Sequence, residues 1–394
     1  MSPLHRTRRT PRRARALTRL ATALLLTAPV ALVATPPASG GPAPAAASAQ
    51  PAARVALTPR RRVDLDEVVS RPVAFRVTNT NRTAMPCVAD GETYVLRGRL
   101  LAQRRELQRP FEMFRVLLHV HDVTTGRWFW NLGRHPAVDH ARQLARRGHV
   151  SVVLDRLGYD SSGSALLDGS GTCFGAQADM LHQVVQQLRT GRCTARIPRK
   201  RAGHVVTVGH SVGAAIAQLE AATWRDVAGT VQMSWTNQGP TPAAVQEVGD
   251  QHQRCASGGD RVDERTNYAF FGATAEDFRS LLFATASPAV QATASRLRNP
   301  DPCGDALSLA SLVATNNALA GELQAKLFLL YGGADALNAP EARAAHRASF
   351  ANAFEIDEAV VEGAGSALPL EASAATTRRL LDAWLCRELS CPAD

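Results

Sequence analysis

The chain has 394 residues, a formal net charge of +10 and seven cysteines, which is enough material for a large domain with a buried core. The positive charge is concentrated at the beginning, because seven arginines lie in the first 19 residues and no Asp or Glu precedes Asp64. Without those seven charges the net charge of +10 falls to +3. This balance argues against a dedicated nucleic-acid surface.

The beginning of the chain has the pattern of an export signal. The arginine-rich segment is followed by an apolar run from Leu20 to Ala34 and then by small residues. This pattern predicts a secretory signal peptide at 1–34, with an uncleaved membrane anchor as the alternative. Residues 35–66 are rich in Pro and Ala and are predicted to be a linker. No later run is long and apolar enough to cross a bilayer. We therefore expect a protein that is secreted or associated with the cell envelope, with no stable membrane span in the mature chain.

Cysteine usage agrees with export, because all seven cysteines lie after residue 66, where an oxidising compartment would allow them to pair. Since seven is odd, one thiol stays free or pairs between chains. Candidate pairs are Cys386 with Cys391, Cys173 with Cys193 and Cys255 with Cys303, but sequence alone cannot fix the connectivity. No pair has the C-x-x-C spacing of a zinc site, so neither a metal nor a cofactor is assigned.

Strand-like and helix-like segments alternate through residues 67–394, which is typical of a parallel sheet with crossover helices. The rhythm breaks at about 238–325, where prolines separate short helices, and this insertion is predicted to form a helical cap over the site. The predicted strands are 93–100, 114–121, 149–154, 204–208, 229–235, 326–331 and 355–361. The predicted helices are 138–147, 176–190, 214–224, 339–353 and 372–386.

The most informative motif is Gly209-His210-Ser211-Val212-Gly213, which fits G-x-S-x-G. It follows an apolar strand-like run and precedes a helix-like stretch. The glycines allow the sharp turn that lifts a serine hydroxyl above a sheet edge, where it can act as a nucleophile. Ser211 is therefore the predicted nucleophile.

Two further segments complete a resemblance that extends from about residue 93 to the C-terminus. The segment 155–163, Asp-Arg-Leu-Gly-Tyr-Asp-Ser-Ser-Gly, resembles the D-R-x-G-x-G-x-S loop of the α/β-hydrolase family, and 120–124 stands where that family has its H-G-x loop. The resemblance implies an α/β-hydrolase fold, with a mostly parallel central sheet and helices on both faces. It also implies that the backbone N–H groups of Val212 and Val123 hold the developing oxyanion.

The order of the triad in this family places an acid between the nucleophile and the last triad residue. Asp335 follows the buried strand pattern 327–331 and a glycine turn, so the resemblance implies that it is the catalytic acid. The alternative for an aspartate in this position is a helix cap.

The third member departs from the pattern. Segment 363–368 resembles the family's G-x-G-H-x-L, with Ser366 at the position of histidine, and no histidine occurs after His346. A serine hydroxyl does not titrate near neutral pH, so Ser366 cannot take the Ser211 proton as an imidazole would. Other histidines could in principle replace it, namely His119, His121, His210 and His346, although each is more often structural.

The oxyanion loop departs as well, because Asp122 stands where the family has glycine. A carboxylate beside a developing oxyanion opposes it electrostatically. Two functions therefore remain open. The resemblance favours a secreted serine hydrolase that acts on a carboxylic ester through Ser211 and Asp335; the alternative is a catalytically impaired relative that binds a small apolar ligand.

Overall fold

The computed structural model describes residues 64–108, 114–195 and 201–389. The predicted signal peptide at 1–34, nearly all of the predicted linker at 35–66 and the residue Cys391 lie outside these ranges.

The described residues form the following strands and helices. The strands are β1 (Val68–Thr78), β2 (Thr93–Gln103), β3 (Phe114–Val120), β4 (Val150–Leu154), β5 (Thr194–Ala195), β6 (Ala202–His210), β7 (Gly229–Met233), β8 (Asp260–Val262), β9 (Arg265–Ala269), β10 (Asp301–Pro302), β11 (Lys326–Gly332) and β12 (Glu355–Val361). The helices are α1 (Arg104–Gln108), α2 (His140–Ala145), α3 (Asp160–Gly163), α4 (Phe174–Thr190), α5 (Val212–Trp224), α6 (Pro242–Ala256), α7 (Ala275–Leu282), α8 (Pro288–Leu297), α9 (Cys303–Leu307), α10 (Leu309–Leu319), α11 (Ala342–Ala348) and α12 (Ala374–Leu389).

One large sheet organises the molecule, with strand order β12-β11-β7-β6-β3-β4-β2-β1-β5. The six strands from β12 to β4 are parallel, whereas β2 and β1 are antiparallel to their neighbours. Every residue of β4 and β7 is buried. The largely apolar sequence of β4 fits a strand that is covered on both faces. The predicted fold class, a mostly parallel sheet with helices on both faces, is confirmed.

The direction of the connections explains the two helical layers. From β3 the chain passes through α2 to β4, the next strand in one direction along the sheet. From β6 it passes through α5 to β7, the next strand in the other direction. Right-handed crossovers that run in opposite directions place their helices on opposite faces of a sheet. They also open a crevice at the carboxyl ends of the adjacent strands β3 and β6, where ligands bind in such sheets.

The predicted strands and helices are all present, but β1 was not predicted from the sequence. This strand pairs with β2 over its whole length, and Pro72 lies in its middle. A proline within a run argues against a central strand. It is tolerated here because beyond β1 the described sheet adds only β5, which pairs with Val73 and Ala74.

The insertion at 238–325 contains the predicted short helices, α6 to α10. It also contains a small sheet that was not predicted, with strand order β10-β9-β8.

The cysteine pairs follow the fold. Cys255 bonds with Cys303, as predicted, whereas Cys87 bonds with Cys173 and leaves Cys193 free. The predicted Cys173–Cys193 pair is wrong because the 17 residues of α4 separate the two cysteines, a span of about 25 Å at 1.5 Å per residue. Cys386 is disulfide-bonded, and its predicted partner Cys391 lies outside the described residues.

Of the helices in the described ranges, none has both the length and the apolar character to cross a membrane.

Candidate active site

Ser211 lies at the turn between β6 and α5, in the strand, turn and helix order that the motif predicts. Its φ of 50° is unusual for a residue with a side chain. The flanking glycines make room for the turn: a Cβ at Gly213 would lie 2.4 Å from the Val120 carbonyl oxygen, and one at Gly209 would lie 2.4 Å from Ala214 Cα. The turn therefore has the strained geometry of a nucleophile elbow.

Asp122 lies against the two backbone N–H groups that the sequence predicts to form the oxyanion hole. It follows β3, the strand next to β6, and its Oδ1 accepts a hydrogen bond from the Val212 N–H at 3.0 Å. The Val123 N–H and the Ser211 hydroxyl also act on this carboxyl group and lower its pKa. The two N–H groups predicted to form the oxyanion hole are thus directed at a side chain of the protein itself.

Burial nevertheless dominates the ionisation of Asp122. The side chain is almost completely buried, and this desolvation raises its pKa to about 7 in spite of the three hydrogen-bond donors around it. His210 Nδ1 lies 3.9 Å from Asp122 Oδ2. Near neutral pH, Asp122 is therefore a mixture of acid and carboxylate.

The backbone of Asp122 is fixed by a buried arginine. Arg156, from the loop after β4, donates to the carbonyl oxygens of His121 and Asp122 at 3.2 and 3.3 Å. Arg156 also bonds with Asp305 of the insertion at 3.1 Å. The loop that carries Asp122 is therefore tied to the insertion as well as to the sheet.

Ser366 is buried beside the elbow, where it contacts His210. Its carbonyl oxygen accepts hydrogen bonds from His210 Nε2 at 2.9 Å and from Ser234 Oγ at 2.8 Å, and its Oγ lies 3.4 Å from the same Nε2. Since a carbonyl only accepts, Nε2 of His210 carries the proton and Nδ1 presents its lone pair. The imidazole stacks on Phe129 at 4.3 Å, and burial lowers its pKa to about 4. His210 therefore lies next to the position of the absent triad histidine, but it is held as a neutral ring by Ser366 and Phe129.

Asp335 lies at the turn after β11 and bonds within its own turn. Its Oδ1 accepts from the Leu337 N–H at 2.9 Å and its Oδ2 from the Asn338 amide at 3.1 Å. Burial raises the pKa of this carboxyl, against the lowering effect of those bonds. Asn338 in turn donates to the Ser234 carbonyl oxygen at 3.0 Å. These contacts form an Asx turn. The helix-cap alternative is wrong, because the next helix, α11, begins at Ala342 with Glu341 as its N-cap, and no imidazole of the described residues makes a hydrogen bond with Asp335.

The other three histidines that could act as a base have structural contacts. His346 accepts from the Asn237 N–H through Nδ1 and contacts Gln232 through Nε2. His121 uses Nδ1 on the Asp122 carbonyl oxygen and Nε2 on the Arg156 N–H. His119 contacts Ser151 through Nε2. Among the described residues, no imidazole makes a hydrogen bond with Ser211.

A cavity of about 530 Å³ opens above Ser211. This volume falls within the range of small-molecule pockets. Asp122, Val123, Ser211 and Val212 lie at its base. The walls are mostly apolar and come chiefly from the insertion and the loop after β7: Trp235, Val245, Val248, Phe271, Leu309, Ala310, Val313 and Ala314. The position of the insertion over the site was predicted from the sequence, but these lining residues were not. The recurring apolar positions in the segments that form α6 and α10 were the sequence signal that could have identified them.

The pocket contains no cluster suited to a metal ion within the described ranges. Two groups of three potential ligands occur elsewhere, His182–Glu220–Asp226 and Glu355–Asp357–Glu388. None of these six residues lines the cavity.

Solved structures of similar fold include several enzymes. A thermophilic esterase from Thermogutta terrifontis, solved with malate bound, has 20% sequence identity and a TM-score of 0.54, covering 79% of this chain and 98% of its own. An esterase from Exiguobacterium antarcticum has 14% identity and a TM-score of 0.52, covering 78% and 99%. A peroxisomal α/β-hydrolase from Saccharomyces cerevisiae has 11% identity and a TM-score of 0.52, covering 83% and 91%. At such identities the likeness establishes the fold.

Among curated proteins no significant match to the sequence is found. The sequence model of the alpha/beta hydrolase family, in contrast, matches residues 116–379, which is more than half of the chain. This match begins within β3, includes the elbow at Ser211 and the insertion, and ends at Arg379, in the first half of α12. The chain belongs to the α/β-hydrolase family.

Proposed function

We propose that this protein is a secreted member of the family that binds a small, mostly apolar molecule above Ser211 without hydrolysing esters at the rate of an active esterase. The observation that carries the proposal is the position of Asp122. Its carboxyl group accepts the Val212 N–H that an active site of this kind reserves for the transition state.

An acyl-transfer transition state places negative charge on the former carbonyl oxygen, and N–H donors stabilise that charge only if they are available. Here the Val212 N–H is engaged by Asp122, and the carboxylate form of Asp122 repels an oxyanion. Loss of a single oxyanion donor costs an enzyme roughly 10²- to 10³-fold in kcat.

The absence of a catalytic base also predicts slow turnover. Ser211 has no imidazole hydrogen bond among the described residues, and Ser366 cannot act as a base near neutral pH. Removing a triad member leaves only about 10³- to 10⁴-fold acceleration over the uncatalysed reaction. Together, the two departures predict turnover close to background.

The cavity supports ligand binding. Its walls are largely apolar, while Asp122 and Ser211 offer hydrogen-bonding groups at its base. An apolar molecule with a hydroxyl or N–H group at one end complements this arrangement, because Asp122 can accept that proton and the walls can bury the remainder.

Carboxylic ester hydrolysis by Ser211, with Asp335 as the orienting acid, is the second candidate. The strained φ of Ser211 favours it, since a nucleophile elbow costs backbone strain and exposes the serine hydroxyl to substrate.

The test combines turnover and binding on the same protein. Hydrolysis of p-nitrophenyl butyrate is measured for the wild type, Asp122→Gly, Ser366→His and the double variant, each with and without Ser211→Ala. We expect no Ser211-dependent rate in the wild type and a clear one in the double variant, since only the double variant regains both the hole and the base.

Binding is measured as thermal protection by p-nitrophenyl butyrate and by n-alkanols of increasing length. Saturable protection of the wild type that is lost in Ala310→Trp, which fills the cavity, supports the binding function. A rapid Ser211-dependent rate in the wild type would refute it in favour of ester hydrolysis.

A further inference from the structure

A second cluster of polar side chains lies between α4 and α5, away from the cavity. His182 is in the middle of α4, Glu220 is in the last turns of α5, and Asp226 follows the end of α5. Glu220 is nine residues beyond Ser211, or about 13 Å along the helix axis at 1.5 Å per residue. The cluster is therefore at the opposite end of the helix that begins at the nucleophile.

Glu220 is the unusual member of this cluster. Its side chain is completely buried, and neither carboxylate oxygen receives a hydrogen bond from any described residue. A buried carboxylate without partners is strongly destabilising unless it is protonated, paired or bound to a cation. Its nearest cationic group is His182, whose Nδ1 lies 3.5 Å from Glu220 Oε1.

One imidazole nitrogen cannot satisfy both carboxylates. The same Nδ1 lies 3.1 Å from Asp226 Oδ2, so its single proton is shared between two acceptors. A divalent cation bound by a neutral imidazole and the two carboxylates makes the site neutral.

We propose that His182, Glu220 and Asp226 bind a zinc ion. The three ligand atoms lie within 4.8 Å of one another. Zinc binds nitrogen and carboxylate oxygen at about 2.0–2.2 Å in a tetrahedron, whose edges are then about 3.3–3.6 Å. The two distances from His182 Nδ1, 3.1 and 3.5 Å, are close to these edges.

The surroundings also fit such a site. The indole of Trp224 stacks on the His182 ring, with centroids 4.3 Å apart and an interplanar angle of 10°, which fixes the orientation of the imidazole. The Gln186 amide donates to Asp226 Oδ2 and so helps to orient that carboxylate. His182 and Asp226 remain 13% and 11% exposed, which leaves an entry path and a fourth position for a water molecule.

The chemistry of the ligands favours zinc over magnesium or calcium. Both of the latter prefer all-oxygen coordination with six or more ligands. The mixed set of one imidazole and two carboxylates suits zinc, which here would link α4 to the end of α5 and stabilise their packing. This inference does not depend on the proposed function.

The experiment uses the untagged full-length protein after treatment with a chelator and removal of the chelator. Zinc chloride is added, and bound metal is quantified by mass spectrometry, with the melting temperature measured in parallel. Wild type is expected to retain about one zinc per chain and to melt at a higher temperature with zinc, whereas magnesium and calcium have no such effect.

Two ligand variants and one control variant test whether the ion binds at this cluster. Glu220→Gln removes one ligand and is expected to lower zinc affinity at least 10-fold, while Asp357→Asn in the more exposed Glu355–Asp357–Glu388 group leaves it unchanged. His182→Asn is a second variant in case Glu220→Gln folds poorly, and cobalt absorption in wild type reports tetrahedral coordination without any substitution. Absence of bound zinc in wild type, or equal binding after loss of His182, would overturn the proposal.

Discussion

Replacement of Asp122 by asparagine tests whether this side chain is buried as an acid in the oxyanion hole. The change keeps the shape of the side chain and its carbonyl-type acceptor but removes the titration. In the folded chain, burial raises the pKa of Asp122 from 3.8 to about 7. The folded chain therefore binds more protons than the unfolded chain between these pH values, so the unfolding free energy falls as pH rises through this range.

The expected magnitude comes from the difference between the two pKa values. Each pH unit inside the range costs up to about 1.4 kcal/mol, and from about pH 5 to about pH 8 the contribution of Asp122 falls by roughly 2–3 kcal/mol, as an upper bound. Over this pH range, the free energy of unfolding of the wild type should fall by this amount relative to that of Asp122→Asn. Asp305 also has a pKa raised through burial, but it is present in both proteins and cancels in the comparison. The pKa of Asp301 is raised by burial as well; because Asp301 repels the charge of Asp122, this repulsion is part of the measured difference.

The assay is urea unfolding of both proteins at the two pH values, with Asp168→Asn as the control. Hydrogen bonds from Ser170 and Asn267 lower the pKa of Asp168, so this carboxylate is ionised in both the folded and unfolded chains above about pH 5. The effect of Asp168→Asn should therefore be equal at the two values. A difference between wild type and Asp122→Asn that is also independent of pH would refute the desolvated placement of Asp122 in the hole.

Two further predictions concern the scaffold of the site. Gly213→Ala places a Cβ 2.4 Å from a backbone carbonyl oxygen and is expected to lower the free energy of unfolding in urea by about 1–3 kcal/mol. Gly249→Ala in α6 places a Cβ that has no neighbouring atom within 4 Å and should raise the free energy of unfolding by about 0.5–1 kcal/mol. Equal effects of the two changes would contradict the close approach at the elbow. Loss of the Cys255–Cys303 disulfide, which closes a 48-residue separation, should cost up to about 4 kcal/mol by chain entropy. It should also weaken ligand protection, because α6 and α9 both line the cavity, while Cys193→Ser should change neither.

The fold was predictable because its signals are local. The buried strands β4 and β11 are short, mostly apolar runs without alternation, and the predicted crossover helices recur between the strands. The elbow was predictable for the same reason, since a strand, G-x-S-x-G and a helix are contiguous in sequence. The edge strand β1 was not, because Pro72 weakens the local pattern and only pairing with β2 reveals it.

The sequence predicted which residues of the site depart from the family pattern, but not how their side chains are arranged. Sequence identified both departures, Asp122 and Ser366, because each replaces a residue in a recognisable segment. It could not show that the Asp122 carboxyl group turns onto the Val212 N–H, since this depends on β3 and β6 being neighbours in the sheet. The His182–Glu220–Asp226 cluster was invisible for a similar reason, because two of its members come from different helices that meet only in the folded chain.

The two departures at the site depend on each other physically. With an imidazole at position 366, a carboxylate at Asp122 would have a cationic partner close to the elbow, and its burial would cost less. With Ser366, the nearest ring is His210, which donates through Nε2 to the Ser366 carbonyl oxygen and faces Asp122 with an unpartnered Nδ1 lone pair. Burial is the largest influence on this carboxyl group and raises the pKa of Asp122 to about 7. Restoring histidine alone at position 366 should therefore draw Asp122 toward its ionised form in the hole rather than restore catalysis, which is why the glycine at position 122 has to return with it.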